Sequence, residues 1–166
     1  MRHKYDKLRS NVAFSLSFRR YTRGFAKRGV GPNWAAAVEL YGKAAESGNA
    51  EAQYQLAACY YDGVDGLPRA ACDHAAKAAA LYRAAAEQRH GGAQFEFAEC
   101  LFFGLGVAKD LANAVVWYGK AAEIGVADAQ FRLGKCYENG VGVEPDFPRA
   151  VGLYEQVGQC RLLTPF

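Results

Sequence analysis

One short run of residues returns along this chain at nearly constant intervals, and that recurrence limits the possible folds more than any other feature. Tyr41-Gly-Lys-Ala-Ala-Glu46, Tyr82-Arg-Ala-Ala-Ala-Glu87 and Tyr118-Gly-Lys-Ala-Ala-Glu123 are followed by a weaker fourth copy from Tyr154, at spacings of 41, 36 and 36 residues. A second run keeps step: Ala52-Gln-Tyr-Gln-Leu56-Ala-Ala-Cys59, Ala93-Gln-Phe-Glu-Phe97-Ala-Glu-Cys100 and Ala129-Gln-Phe-Arg-Leu133-Gly-Lys-Cys136, 41 and 36 apart. The five extra residues of the first interval fall between Gly63 and Lys77, so one connector is lengthened and the register is kept. A fixed period of this size means one supersecondary unit stacked several times.

The unit is a helical hairpin. Ala52, Leu56, Cys59 and Tyr60, like Ala129, Leu133, Cys136 and Tyr137, are spaced by four, three and one, which places them on one face of a first helix, A. Ala114, Trp117, Tyr118, Ala121 and Ala122 make the corresponding stripe of a second helix, B. Gly104-Leu-Gly106-Val and Gly140-Val-Gly142-Val supply left-handed backbone after helix A. Asn33, Asp110 and Asp146 stand where an N-cap of helix B belongs, and Gly48 and Gly125 where helix B ends. The Ala-Ala pairs let neighbouring backbones approach, while Leu56, Phe97 and Leu133 fill the space between hairpins. A lone hairpin cannot bury its apolar faces, so the reading is an all-α solenoid of three full hairpins flanked by partial ones.

Composition agrees and excludes several functions. The chain is 51% hydrophobic and 22% charged, carried by Ala, Leu, Tyr and Phe, which favours helices over strands. Residues 1–33 hold nine Lys and Arg against Asp6 alone, a formal +8 that leaves −5 for the remainder, so the repeat body offers no positive face to nucleic acid. No apolar run approaches the ~20 residues of a membrane-spanning helix. Cys59, Cys72, Cys100, Cys136 and Cys160 form no CxxC pair and are odd in number, against a zinc site or a disulfide framework and for a reducing compartment, cytoplasmic or mitochondrial rather than secretory. Cys59, Cys100 and Cys136 recur at one register, about 10 Å apart per layer, and read as small buried hydrophobes. Cys72-Asp-His74 falls in the lengthened connector and reads as loop polarity, and His90 has no ligand spacing. No catalytic, cofactor or metal residues are assigned. Val12 to Phe18 lies between basic flanks; this Arg-rich, acid-poor start reads either as a mitochondrial presequence or as a solvated tail or degenerate repeat.

The combined pattern, a Gly-x-Gly-Val turn, an Asx cap, Tyr-x-Lys-Ala-Ala-Glu and then Ala-x-Ala-Gln-aromatic-x-Leu-Gly-x-x-Tyr, resembles the Sel-one-like repeat family, relatives of the tetratricopeptide repeats. The resemblance covers residues 29–158, with 1–28 a basic segment and 159–166 a non-repeat tail. Gly29-Val-Gly-Pro-Asn33 aligns with Gly142-Val-Glu-Pro-Asp146; departures are Arg89 for a usual Gly, Phe97 for Leu, and the residues after Tyr154. The resemblance implies a right-handed superhelix and an adaptor that binds a peptide or helix of a partner protein. If helix A lines the concave surface as in tetratricopeptide relatives, the outward positions are Tyr54, Ala58, Tyr61, Phe95, Glu99, Phe102, Phe131, Lys135 and Glu138. The alternative for Tyr54, Phe95 and Phe131 is packing between repeats. A cysteine-rich branch of the family suggests a β-lactamase-like hydrolase, but its cysteine positions are held here by Ala45, Ala86, Ala122 and Gln53, Gln94, Gln130. With a presequence, the expected role becomes an adaptor in mitochondrial assembly or stress signalling. Oligomeric state is left open.

Overall fold

The computed structural model describes residues 34–62 and 72–162. The basic segment 1–28 with its apolar stretch, the Asn33 cap, most of the lengthened connector and the last four residues lie outside the described residues, as do the side chains of Cys72 and Cys160.

Among the described residues there are seven α-helices and no strand: α1 Trp34–Glu46, α2 Ala50–Asp62, α3 Cys72–Glu87, α4 Gly91–Phe103, α5 Leu111–Glu123, α6 Ala127–Asn139 and α7 Phe147–Leu162. They pack in chain order, with α2 on α3, α4 on α5 and α6 on α7 as hairpins, and α3 on α4 and α5 on α6 joining one hairpin to the next. The three full hairpins expected from the period are present, and α1 is the B helix of an earlier unit. The last helix, α7, runs on to Leu162.

Helix ends follow the local chemistry. Asp110 Oδ1 accepts from Asn113 N at 3.0 Å and Asp146 Oδ1 from Arg149 N at 3.0 Å, the two Asx caps of the B helices. The A helices carry caps that the pattern does not advertise: Asn49 Oδ1 accepts from Ala52 N at 2.9 Å and His90 Nδ1 from Ala93 N at 3.0 Å, while Val126 at the third start has no side-chain acceptor. His90 also spans two repeats, its Nε2 lying 2.9 Å from Glu51 Oε2 and its ring 4.7 Å from that of Tyr54. His74 requires a correction. It lies in the first turn of α3, not in a loop, and stacks on Tyr60 at 5.7 Å, because the alanine-rich segment carries the helix back to Cys72.

The core is a seam of small residues. Ala57, Ala78, Ala79, Ala85, Ala93, Ala98, Ala114, Ala121 and Ala129 are wholly buried, with Tyr82 and Tyr118 between them. Leu56 shares a cluster with Leu81, and Leu133 one with Leu153; at the matching place Phe97 meets Trp117 edge-on at 5.4 Å. The departure at Phe97 is thus matched by an aromatic partner on the B helix.

Glycines 106 and 142 do two jobs. Both have positive φ, 71° and 73°, and a Cβ on either would sit 2.1 Å from Ala75 O or 2.4 Å from Leu111 O. The connectors after α4 and α6 therefore rest against the first turn of the preceding repeat's B helix. Gly48 and Gly125 share φ 86° but have open space around them, and Arg89 holds the same left-handed turn at φ 64° with a side chain. In urea titrations Gly142→Ala is expected to cost about 2–4 kcal/mol and Gly125→Ala only about 1 kcal/mol, since the second meets dihedral cost without a clash. Arg89→Gly, relieving the strained turn against a looser unfolded chain, is expected to add about 0.5–1 kcal/mol in the same measurement.

Candidate functional site

The A helices α2, α4 and α6 carry all nine residues expected on the binding face, and the structure distributes them unevenly. Tyr54, Phe95 and Phe131 recur at one register, and each leans on the tyrosine of its hairpin's B helix: Tyr54 on Tyr82 at 5.8 Å, Phe95 on Tyr118 at 6.0 Å, Phe131 on Tyr154 at 5.8 Å. Tyr54 and Phe95 are half-buried against the core, whereas Phe131 is 46% exposed. Tyr61 is 37% exposed, Lys135 is exposed, and Ala58, Phe102 and Glu138 are intermediate. Phe102 meets Phe103 at 5.0 Å and Tyr118 at 6.2 Å. Lys135 Nζ stands 6.0 Å from the Phe131 ring and 3.7 Å from Glu138 Oε2, which accepts from Tyr154 Oη at 2.8 Å.

Glu99 does not point outward. It is 4% exposed, accepts a short hydrogen bond from the Tyr118 hydroxyl, and is reached by Arg132 Nη2 at 3.0 Å from the next repeat. Burial pushes its carboxyl above the ordinary value, and the Arg132 charge and the two donors pull it partly back. Burial, with Glu99 close by, likewise raises the Tyr118 hydroxyl. A charge on this stripe is thus a tie between layers.

The glutamine of the Ala-Gln pair has a role of its own. Gln53, Gln94 and Gln130 are buried, and their Nε2 atoms donate to Ala45, Ala86 and Ala122 carbonyls at 3.3, 3.2 and 3.3 Å. The same bond, made three times, joins each A helix to the B helix before it and satisfies a carbonyl near that helix's end.

Cys59, Cys100 and Cys136 are buried thiols outside any disulfide. Burial pushes the Cys100 thiol up to about 12 and Cys136 to about 11, so neither is a thiolate near neutral pH. Among the described residues no group of His, Cys, Asp and Glu is arranged to hold a metal ion, and no helix is long and apolar enough to cross a membrane.

The model of the Sel1 repeat matches residues 12–49, 50–90, 92–126 and 127–156. The chain belongs to the Sel1 repeat family. Each described match after the first spans one hairpin, α2–α3, α4–α5 and α6–α7. Among solved structures, a protective antigen of uropathogenic Escherichia coli with the same repeat fold is 36% identical over 79% of this chain and 27% of its own, with a TM-score of 0.72. A Sel1 repeat protein from Oxalobacter formigenes is 35% identical, covering 74% of this chain and 49% of its own, at 0.67. The chain therefore spans about a quarter to a half of those two proteins. Helicobacter pylori cysteine rich protein B shares the fold, at 23% identity, 78% and 88% coverage and a TM-score of 0.55. No curated protein matches the chain. Sel1 repeat proteins act as scaffolds for protein interactions.

The ion pair between the middle and last repeats can be tested by titration. Arg132→Ala is expected to cost about 1.5–3 kcal/mol in urea, because it strips the cation from a buried carboxylate. Because the folded pKa of Glu99 is raised, the folded protein holds its proton longer than the unfolded chain, and stability falls as pH rises through the carboxylate range. Glu99→Gln is expected to remove that component, giving a flatter stability profile between about pH 4 and 7 than the parent.

Proposed function

We propose that the chain is a protein-interaction scaffold that holds a peptide or helix of a partner protein against the face made by α2, α4 and α6. The observation that carries this reading is the aromatic row. Tyr54, Phe95 and Phe131 step along the stack one per repeat, flanked by Tyr61 and Phe102, and the row is half open. Rings held by neighbouring tyrosines lose little freedom when a ligand covers them, which suits them as anchors.

Within the row the roles differ. Tyr61, Phe102, Phe131, Lys135 and Glu138 supply contact surface, Tyr54, Phe95 and Ala58 supply its floor, and Glu99 holds the floor together through Tyr118 and Arg132. Buried, protonated thiols support binding over cysteine-based hydrolysis. The ligand class follows from the family and the row: an amphipathic segment placing apolar side chains at successive repeats.

Selection of peptides from a random display library tests the reading. Ligands enriched on the parent chain are expected to bind the Tyr61→Ala, Phe131→Ala double variant at least about tenfold more weakly. Far-UV circular dichroism and melting temperature should stay unchanged, as both side chains are partly solvated. Enriched peptides that bind both proteins equally would place the contact elsewhere and sink the proposal.

A further inference from the structure

Because the repeats are near copies, a buried position at which one differs from another isolates what is particular to it. The junction glutamine is such a position. In the first junction the carboxamide oxygen of Gln53 accepts from Gln88 Nε2 at 2.8 Å, six residues after Tyr82. Six residues after Tyr118 stands Ile124, which has nothing to donate. Gln94, 4% exposed, makes its Nε2 bond to Ala86 while its Oε1 is enclosed with no protein partner. Gln130 Oε1 also lacks a protein partner; its matching position is Cys160, whose side chain is outside the described residues.

What sets Gln94 apart is a cleft. A recess of about 390 Å³ opens between the end of α3 and the last turns of α5, with Ala86, Arg89, Gln94, Trp117, Lys120 and Ile124 on its walls. Lys120 Nζ is 3.7 Å from the centre of the Trp117 ring. Arg89 and Lys120 share the recess with Glu87 and Glu123, so its formal charge is zero and an ion gains little there. Ile124 is 44% exposed and its Cδ1 lies over the start of α4, where a Cβ on Gly91 would approach it to 2.9 Å. By its register it holds the place from which Gln88 reaches Gln53, and an exposed side chain turns within nanoseconds.

We propose that this cleft takes a primary carboxamide, the side chain of a glutamine or asparagine on a bound protein. Its –NH₂ donates to Gln94 Oε1, in the place that Gln88 fills one repeat earlier. Its oxygen accepts from Lys120 or Arg89. An enclosed amide oxygen without a donor is unfavourable, and a neutral recess with both donors and acceptors at its wall matches a group that does both. The site uses Gln94 of α4 with the ends of B helices and no residue of the aromatic row, so either proposal can fail without the other.

Nuclear magnetic resonance of the ¹⁵N-labelled chain, titrated with N-acetylglutamine N-methylamide, whose side chain is its one primary carboxamide, tests it. The side-chain amide of Gln94 and the indole N–H of Trp117 are expected to shift together, with a Kd on the order of 1 mM for a ligand of this size. The isosteric probe with a side-chain carboxylate lacks the donor and is expected not to bind. Ile124→Gln, which imports the donor of the first repeat, is expected to raise the melting temperature and weaken the carboxamide at least about tenfold. Equal or tighter binding of the carboxylate would make the recess an anion site and overturn the proposal. So would undiminished binding by Ile124→Gln, or the absence of any shift at either signal, which would leave the Gln94 oxygen to water.

Discussion

Close approach of neighbouring helices governs this molecule, and alanine makes it possible. Nine alanines with no exposed surface line the seams between α2 and α6, and a larger side chain at any of them would force the backbones apart. Near contact in turn brings a glutamine carboxamide within reach of the preceding helix's carbonyl at each of the three junctions. The apolar seam supplies most of the driving force, and the repeated bond sets how one helix sits on the next. Large residues enter where the seam leaves room: Leu56 with Leu81, Phe97 with Trp117, Leu133 with Leu153.

Against that uniform background, individuality sits at a few positions. Glu99 occupies the place of Ala58 and Lys135, yet it is enclosed by Tyr118 of its own hairpin and Arg132 of the next. Ile124 occupies the place of Gln88 and leaves a carbonyl without a donor. Phe131 occupies the place of Tyr54 and Phe95 but stands more open. A repeat protein keeps its fold in the shared positions and its recognition in the unshared ones.

Much of this was legible in the residues. The period, the two stripes, the Asp110 and Asp146 caps and the turn glycines are local signals, and local signals survive into the fold when they agree with one another. The environment of Glu99 was not legible, because spacing reads a charge on a helix as solvated and the residues that enclose it come from another helix and another repeat. His90 escaped for a similar reason: a histidine before an A helix does not announce a cap, and its contacts with Glu51 and Tyr54 lie 39 and 36 residues away. His74 was misplaced because an insertion suggests a loop, whereas helix propensity extended α3 back across part of it. The junction glutamines were visible as a motif, but their bond requires the angle between two helices, which no spacing encodes.

The connectors at Gly106 and Gly142 sit with their backbone against Ala75 and Leu111, the first turns of the B helices one repeat back. A hairpin so seated cannot slide by one residue along its neighbour without driving a carbonyl into the chain. Growth and loss of such a protein are consequently quantised: whole modules can be copied or excised with every seat intact, whereas a shift by a fraction of a module has nowhere to settle.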